Sequence, residues 1–436
     1  MNNNTSYAGK YLGEWWIPEQ EEDKLQGTLE IKADGESYIE FLGQFNSDTP
    51  FFRFENFSQL HGIAISEGDN KCYSVFLFNF YPVNKTASRL IKHKYLAQKV
   101  LIGKSSAPLS ANYTELMLGS EIFGKWIKET GIGEKVRFED DKIKDTSFTY
   151  RQQEPIDLFS NKNSDGYIFF RWSHSFRSKR ELKLVEQPFL NLRLHQPMEF
   201  NDLFKVSSRI ERFFMILWEQ YHVFTDIDVR NENNSEYRLI GSRHVQFADD
   251  VFGFDYNDFK MNSERYYNNW IKVYEEFNLA IRTFFFAFAD FKIDIHSRFL
   301  NYVFALEQLH RKGFRATEPL SRRDKKMFEK AMQIQQGDLK SWLERVLNNE
   351  RTINLITRLQ ELCEFSELKE SEKISNDELI RINNMRHYLV HLDEERKKTA
   401  FTAREVYEIN QKLESLFFAV LKKNMVDEKP WPAFGW

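Results

Sequence analysis

Cysteine is nearly missing: Cys72 and Cys363 are the only two in 436 residues. Two thiols so far apart build neither a disulfide framework nor a cysteine-rich zinc site, and they fit a reducing compartment, so a cytoplasmic location is expected. Glycine and proline are sparse, at 18 and 10 positions. That excludes collagen-like and low-complexity chains. No apolar run approaches the roughly 18 residues of a spanning helix. The most apolar stretches are Phe213–Trp218 and Thr283–Phe291, and the second contains Asp290. The N-terminus lacks the charged-then-apolar order of a signal peptide. No charge of one sign dominates either: 61 basic against 65 acidic residues leaves a formal −4. A uniformly basic nucleic-acid coat is excluded, while a local basic groove is not. The phosphate-cradling G-x4-G-K-[ST] and the G-x-S-x-G elbow are absent, so ATP-driven and serine-hydrolase chemistry lose support.

Aromatic residues are plentiful: 41 Phe, 18 Tyr and 9 Trp. Most of them must be core, because a surface that apolar would aggregate. Trp15 and Trp16 could stack on a sugar or base, but they read better as anchors of the first strand. From Tyr7 to about Arg193 the chain is mostly short β-type runs broken by turn signals. Residues 27–31 alternate, 33–35 turn, and 38–42 alternate again, with further strand candidates at 75–81 and 167–172. Such runs predict an antiparallel sandwich or barrel-like domain. Residues 200–218 have helical spacing, with Phe204, Ile210, Phe214, Leu217 and Trp218 on one broad face. Residues 223–260 return to β-type runs. From Ser263 onward the pattern is all helix, with helices expected near 263–288, 292–312, 322–334, 337–349, 351–364, 376–391 and 402–424. The fold class is therefore α+β: a β-rich region, 1–262, with a helical junction from about 200, and an all-α region, 263–436.

The segment Ser375–His391 is the most informative. Ser375 and Glu378 form a capping box at a helix start. Leu379, Ile382, Met385 and Leu389 follow at helical spacing as a buried stripe. Beside that stripe stand Arg386, His387 and His391. His387 and His391 are one turn apart and share a face. Arg386 and His391 make an R-x4-H pair, about 140° and about 7.5 Å apart on an ideal helix. They converge only if the arginine reaches round or the helix ends there. The i, i+4 histidines also have metal-ligand spacing, but a zincin helix needs Glu after the first His, and Tyr388 stands there. No metal and no cofactor are expected.

An R-x4-H near the end of a late helix in an all-α region resembles the HEPN ribonucleases. The N-terminal segments Gly13–Pro18 (GEWWIP) and Gly27–Ile31 (GTLEI), with Phe304–Arg311 (FALEQLHR) in the helical region, sharpen this. Together they resemble the ApeA group of bacterial anti-phage abortive-infection proteins, over nearly the whole chain. The resemblance implies a C-terminal HEPN helical bundle that cleaves RNA without a metal. In that chemistry the ribose 2′-OH attacks the adjacent phosphate and leaves a 2′,3′-cyclic phosphate and a 5′-OH. Histidine moves protons near neutrality, and arginine holds a phosphate as charge develops. His391 is accordingly assigned the acid/base role and Arg386 the phosphate, with His387 in the place where the family commonly has another polar residue. The resemblance also implies a homodimer with composite sites, RNA as substrate (transfer RNA among the candidates), a phage-encoded trigger and a sensing N-terminal domain. Glu307 could orient Arg386 or His391; more often such a carboxylate is solvated or part of a structural ion pair.

Three basic stretches offer phosphate contacts: 82–104, 171–183 and 311–330. The last lies in the expected nuclease region, and Arg322, Arg323, Lys325 and Lys326 are its candidate RNA contacts. A solvated charged face is the usual alternative. Two rival readings remain. One is a catalytically silent HEPN module that binds RNA or a protein; the other is a β-type recognition protein whose helices only oligomerise.

Overall fold

The computed structural model describes residues 7–18, 20–43, 45, 59–87, 91–104, 112–139, 142–178, 181–241, 252–290, 292–314, 326–327, 330 and 353–427. By packing, the chain divides into two compact units: residues 1–214 with 222–264, and residues 215–221 with 265–436.

The first unit is built on antiparallel strands. β1 (Gly9–Trp16), β2 (Leu25–Ile31), β3 (Ser37–Leu42), β4 (Gln59–Ser66), β5 (Cys72–Ala87) and β6 (Ile91–Gly103) close into a six-stranded barrel in the order β6-β3-β2-β1-β4-β5, with β5 returning to β6. Closure removes the exposed edges that an open sheet presents. The alternation expected for β2 and β3 holds: Leu29, Ile31, Ile39 and Phe41 point into the core. Trp15 is fully buried there, and its indole N–H donates to the Gly27 carbonyl at 3.1 Å. Gly62 is required on the facing strand, because a Cβ at that position would collide with the Trp15 ring. Trp16 is buried too, so both tryptophans serve the core.

β6 belongs to two sheets. Residues 92–97 pair with β3 and residues 99–102 pair with β14 (Glu236–Gly241). From β14 the sheet continues through β13 (Asp226–Asn231), β7 (Asn112–Gly119), β12 (Glu181–Glu199) and β11 (Ser164–Ser178) to β10 (Ile156–Ser160). β8 (Ile132–Glu139) and β9 (Lys142–Tyr150) form a separate hairpin, and α1 (Glu121–Trp126) is a short helix. α2 (Phe200–Trp218) has the expected bounds, but its C-terminal half is buried all round: Phe213 through Trp218 are all core. That is the signature of an internal helix rather than of one broad face.

Two expectations need correction. Residues 223–260 are not all β-type, because α3 (Tyr256–Glu276) is already helical from 256. The helix expected over 263–288 is two helices, α3 and α4 (Asn278–Ala289), separated at Phe277. Phe277 is buried, so the break lies in the core and leaves no polar turn signal in the sequence. α5 (Ile295–Gly313) follows, capped by Asp294, whose side chain accepts from the amides of 296 and 297. α6 (Leu355–Phe365), α7 (Asn376–His391), α8 (Glu394–Lys397) and α9 (Ala403–Val426) complete the second unit. Phe284 stacks on Phe417 at 3.8 Å and on Tyr302 at 4.7 Å, tying α4, α5 and α9 into one aromatic core. The helices expected near 322–334 and 337–349 lie outside the described residues. No described helix is long and apolar enough to cross a membrane.

Candidate active site

α7 begins where its sequence predicts. Ser375 accepts from the Glu378 amide, and the Glu378 carboxylate accepts from the Ser375 amide at 2.8 Å. Lys412 of α9 donates to the same carboxylate at 2.7 Å, so the cap also fixes α7 to α9. Leu379, Ile382 and Met385 are buried as expected, whereas Leu389 is only half-buried. The helix ends at His391, and Leu392 turns into the left-handed region at φ 55. That turn leaves His391 exposed at the helix terminus.

Arg386 reaches from α7 to α5. Its guanidinium lies 3.6 Å from the Glu307 carboxylate and 5.9 Å from the centre of the Phe304 ring. Glu307 is buried, with a side chain 11% exposed, and it also faces Arg311 at 3.8 Å. The half-buried His387 is one turn before His391, with ring centroids 5.5 Å apart. Burial pushes the His387 imidazole below its ordinary value, and the charges of Arg396, Arg386 and His391 add to that against Asp393. The surroundings of His387 therefore favour the neutral imidazole, the form that can accept a proton. One cation thus acts on the imidazole from each side in sequence, Arg386 from α7 and Arg396 from α8. Arg396 is itself held: it donates to Asn384 at 2.6 Å, Asn384 donates to Thr399 at 2.9 Å, and Asp393 lies 3.4 Å from the guanidinium.

Beneath Glu307 the polar cluster continues. Arg358 of α6 is 1% exposed and donates through Nε to the Ile353 carbonyl at 2.8 Å. Burial lowers its affinity for its proton, as does Arg311, while Glu307 and Glu361 act the other way. Glu361 meets the buried His310 ring at 2.6 Å. Sequence reasoning considered Glu307 and set it aside. Arg358, Glu361 and His310 it missed entirely, since nothing local marks a helix residue that becomes buried beside another helix.

The proposed RNA contacts fare differently. Arg322, Arg323 and Lys325 lie outside the described residues; Lys326 is described and exposed. In the 82–104 stretch, Lys92 pairs with Glu40 at 3.1 Å and Lys94 sits over the Tyr38 ring at 4.7 Å. In the 171–183 stretch, Arg171 faces the buried Asp228 at 3.8 Å. These cations are engaged by neighbouring strands, as in an ordinary charged sheet face. Among the described residues, no group of three or more His, Cys, Asp or Glu side chains is placed to hold a metal ion.

Two family models match the chain. One, described as ApeA N-terminal domain 1, matches residues 10–302. The other, described as Apea-like HEPN, matches residues 300–429. No curated protein and no solved structure matches.

Proposed function

The chain belongs to the ApeA-like HEPN family of anti-phage proteins, and we propose that it is a metal-independent endoribonuclease acting in abortive infection. Residues 263–436 would be the nuclease domain and residues 1–262 the part that senses infection or holds the nuclease silent. The observation that carries the reading is the grouping at the end of α7. Arg386 is steered by a buried carboxylate, while His387 and His391 stand one turn apart beside it.

In the proposed reaction the ribose 2′-OH attacks the adjacent phosphorus and the bond from phosphorus to O5′ breaks. The 2′-OH proton passes to an imidazole, a role for which His387 is suited because its surroundings favour the neutral form. His391, exposed at the helix end, delivers a proton to the departing O5′. The products are a 2′,3′-cyclic phosphate and a 5′-OH. Arg386 balances the charge that builds on the phosphoryl oxygens. Glu307 acts only through Arg386, as a positioning residue. Transfer RNA is the substrate class we would test first.

HEPN domains commonly dimerise. Ile380, Val390 and Leu392 leave apolar surface exposed on and beside α7, which supports a homodimer formed across this helix. A phage-encoded protein is the proposed trigger.

The test is mapping of RNA 5′-OH ends in cells carrying wild type, Arg386→Ala or His391→Ala, with and without phage. New ends that appear with wild type only, after infection, support the nuclease. Protection retained by both variants with unchanged end maps would overturn it in favour of a silent binding module.

A further inference from the structure

The left-handed Leu392 turns the chain back on itself after α7, and residues 393–400 then lie along the face of α7 that carries the histidines. Asn384, His387, Tyr388 and His391 share that face, at i, i+3, i+4 and i+7. Arg396 donates to the Asn384 side chain at 2.6 Å, and Asn384 donates to Thr399 at 2.9 Å. The Lys397 ammonium sits 5.4 Å from the centre of the Tyr388 ring, and Arg381 donates to the Ala400 carbonyl at 3.4 Å.

Arg396 is held at both ends. Its guanidinium donates to Asn384, Asn384 donates to Thr399, and the Thr399 hydroxyl donates back to the Arg396 carbonyl at 3.2 Å. These bonds close a circuit through one residue. A surface arginine three residues from a carboxylate, as Arg396 is from Asp393, would by itself be ordinary and contribute little. The circuit sets it apart. It commits an asparagine of α7 and a threonine beyond α8 to orienting a side chain that stays 41% exposed and would otherwise keep its rotamer freedom.

The charge so fixed acts on a histidine. Asn384 and His387 are one turn apart on α7. Among the charges that bear on the His387 imidazole, Arg396 comes first, ahead of the adjacent Arg386 and of His391, while Asp393 opposes them. On the other sides of α7, Glu307 of α5 is paired with Arg386 at 3.6 Å and Glu361 of α6 with His310 at 2.6 Å. A cation beside an imidazole disfavours the imidazolium. We propose that Arg396 is a positioning residue of the candidate site: the circuit through Asn384 and Thr399 holds its charge beside His387 so that this ring stays a proton acceptor. Arg396 acts through His387 and has no need to touch RNA. The inference rests on the nuclease reading for its purpose, but its test does not need cleavage.

The full chain is labelled with 13C at the histidine Cε1 positions, and the His387 signal is identified by its loss in His387→Gln. That signal is titrated at about 20 mM salt, where screening is weak. In Arg396→Gln its midpoint is expected to rise by about half a pH unit, because a neighbouring positive charge no longer opposes the imidazolium. Arg396→Lys keeps the charge and should recover most of that shift. Asn384→Ala frees the guanidinium and should move the midpoint part of the way. At about 0.5 M salt the difference between wild type and Arg396→Gln should shrink. Where RNA is cut, the acid limb of the cleavage rate should move up with the midpoint, since the base is then free only at higher pH. An arginine that serves packing alone would lower the melting temperature of Arg396→Gln and leave the midpoint in place. An unmoved midpoint in Arg396→Gln and Asn384→Ala overturns the proposal, as does an equal shift in Arg396→Lys. A shifted midpoint in a protein whose wild type cuts no RNA sinks the nuclease reading and leaves the hold on His387 standing. Cleavage by wild type with an unmoved midpoint and acid limb does the reverse.

Discussion

Replacing Glu414 by glutamine should stabilise the protein, by an amount that grows as pH rises from the ordinary carboxyl value towards neutrality. Glu414 lies on α9, where the Tyr302 hydroxyl of α5 donates to its carboxylate at 3.2 Å. Burial pushes its carboxyl from the ordinary 4.5 up to about 7, outweighing the opposite pull of the Tyr302 bond and the Arg298 charge. Between those two values the folded protein holds a proton that the unfolded chain has already released. Stability therefore falls as pH rises through that window, and the penalty is complete above it. A gap that wide converts to at most about 3 kcal/mol. Glu414 keeps partial contact with solvent, so about 1–2 kcal/mol is the expected size. Glutamine retains an acceptor for the Tyr302 hydroxyl and never ionises. Urea unfolding of wild type and Glu414→Gln at about pH 5 and about pH 8 measures the difference. The gain should be full at the higher pH and mostly lost at the lower one, with unchanged m-values. An equal gain at both pH values, or none at the higher, would refute the assignment of a buried, proton-hungry carboxyl.

Other positions give simpler outcomes. Gly62→Ala drives a methyl group into the Trp15 indole and should cost about 1–3 kcal/mol or block barrel closure, read by urea melts and by Trp fluorescence. Ser375→Ala removes the hydroxyl that caps α7 and should lower stability by about 1 kcal/mol; an unchanged midpoint would mean that the Glu378–Lys412 pair alone holds the helix start. Leu392→Gly relieves a left-handed residue that is 76% exposed and should add up to about 1 kcal/mol in the same assay.

Much of the fold was legible because its signals are local. The alternation at 27–31 and 38–42, with a turn between, specified β2 and β3. The capping box specified the first turn of α7. Barrel closure was not legible, since it depends on β5 pairing with β6 along an edge that no sequence pattern distinguishes from any other. The early start of α3 was missed for a similar reason. Asn257 and Asp258 read as turn residues, yet Asp255 accepts from the Asn257 amide at 2.8 Å, and the helix starts there. The break at Phe277 was hidden because a buried aromatic gives no signal of chain reversal.

The candidate site divides along the same line. Arg386, His387 and His391 share one helix end, so their spacing alone nominated them. Their surroundings come from elsewhere in the sequence: Glu307 from α5, Arg358 from α6 and Arg396 from α8. The physical meaning of each depends on burial, which composition does not reveal. Glu307 in water would be one of many helix carboxylates. Buried between two arginines, it fixes where the charge of Arg386 is held. Arg358 would be an ordinary charged surface residue if its helix were turned by half a revolution; at 1% exposure it is a buried cation held by the Ile353 carbonyl and facing Glu307 and Glu361. A charge fixed in a low-dielectric interior needs no reorganisation when an anion approaches. Lys326, the described residue among the basic candidates that sequence reasoning favoured, is of the opposite kind: it is exposed, and its charge is screened by salt. Only the packing of α5, α6 and α7 reveals which cations are drawn into the cluster.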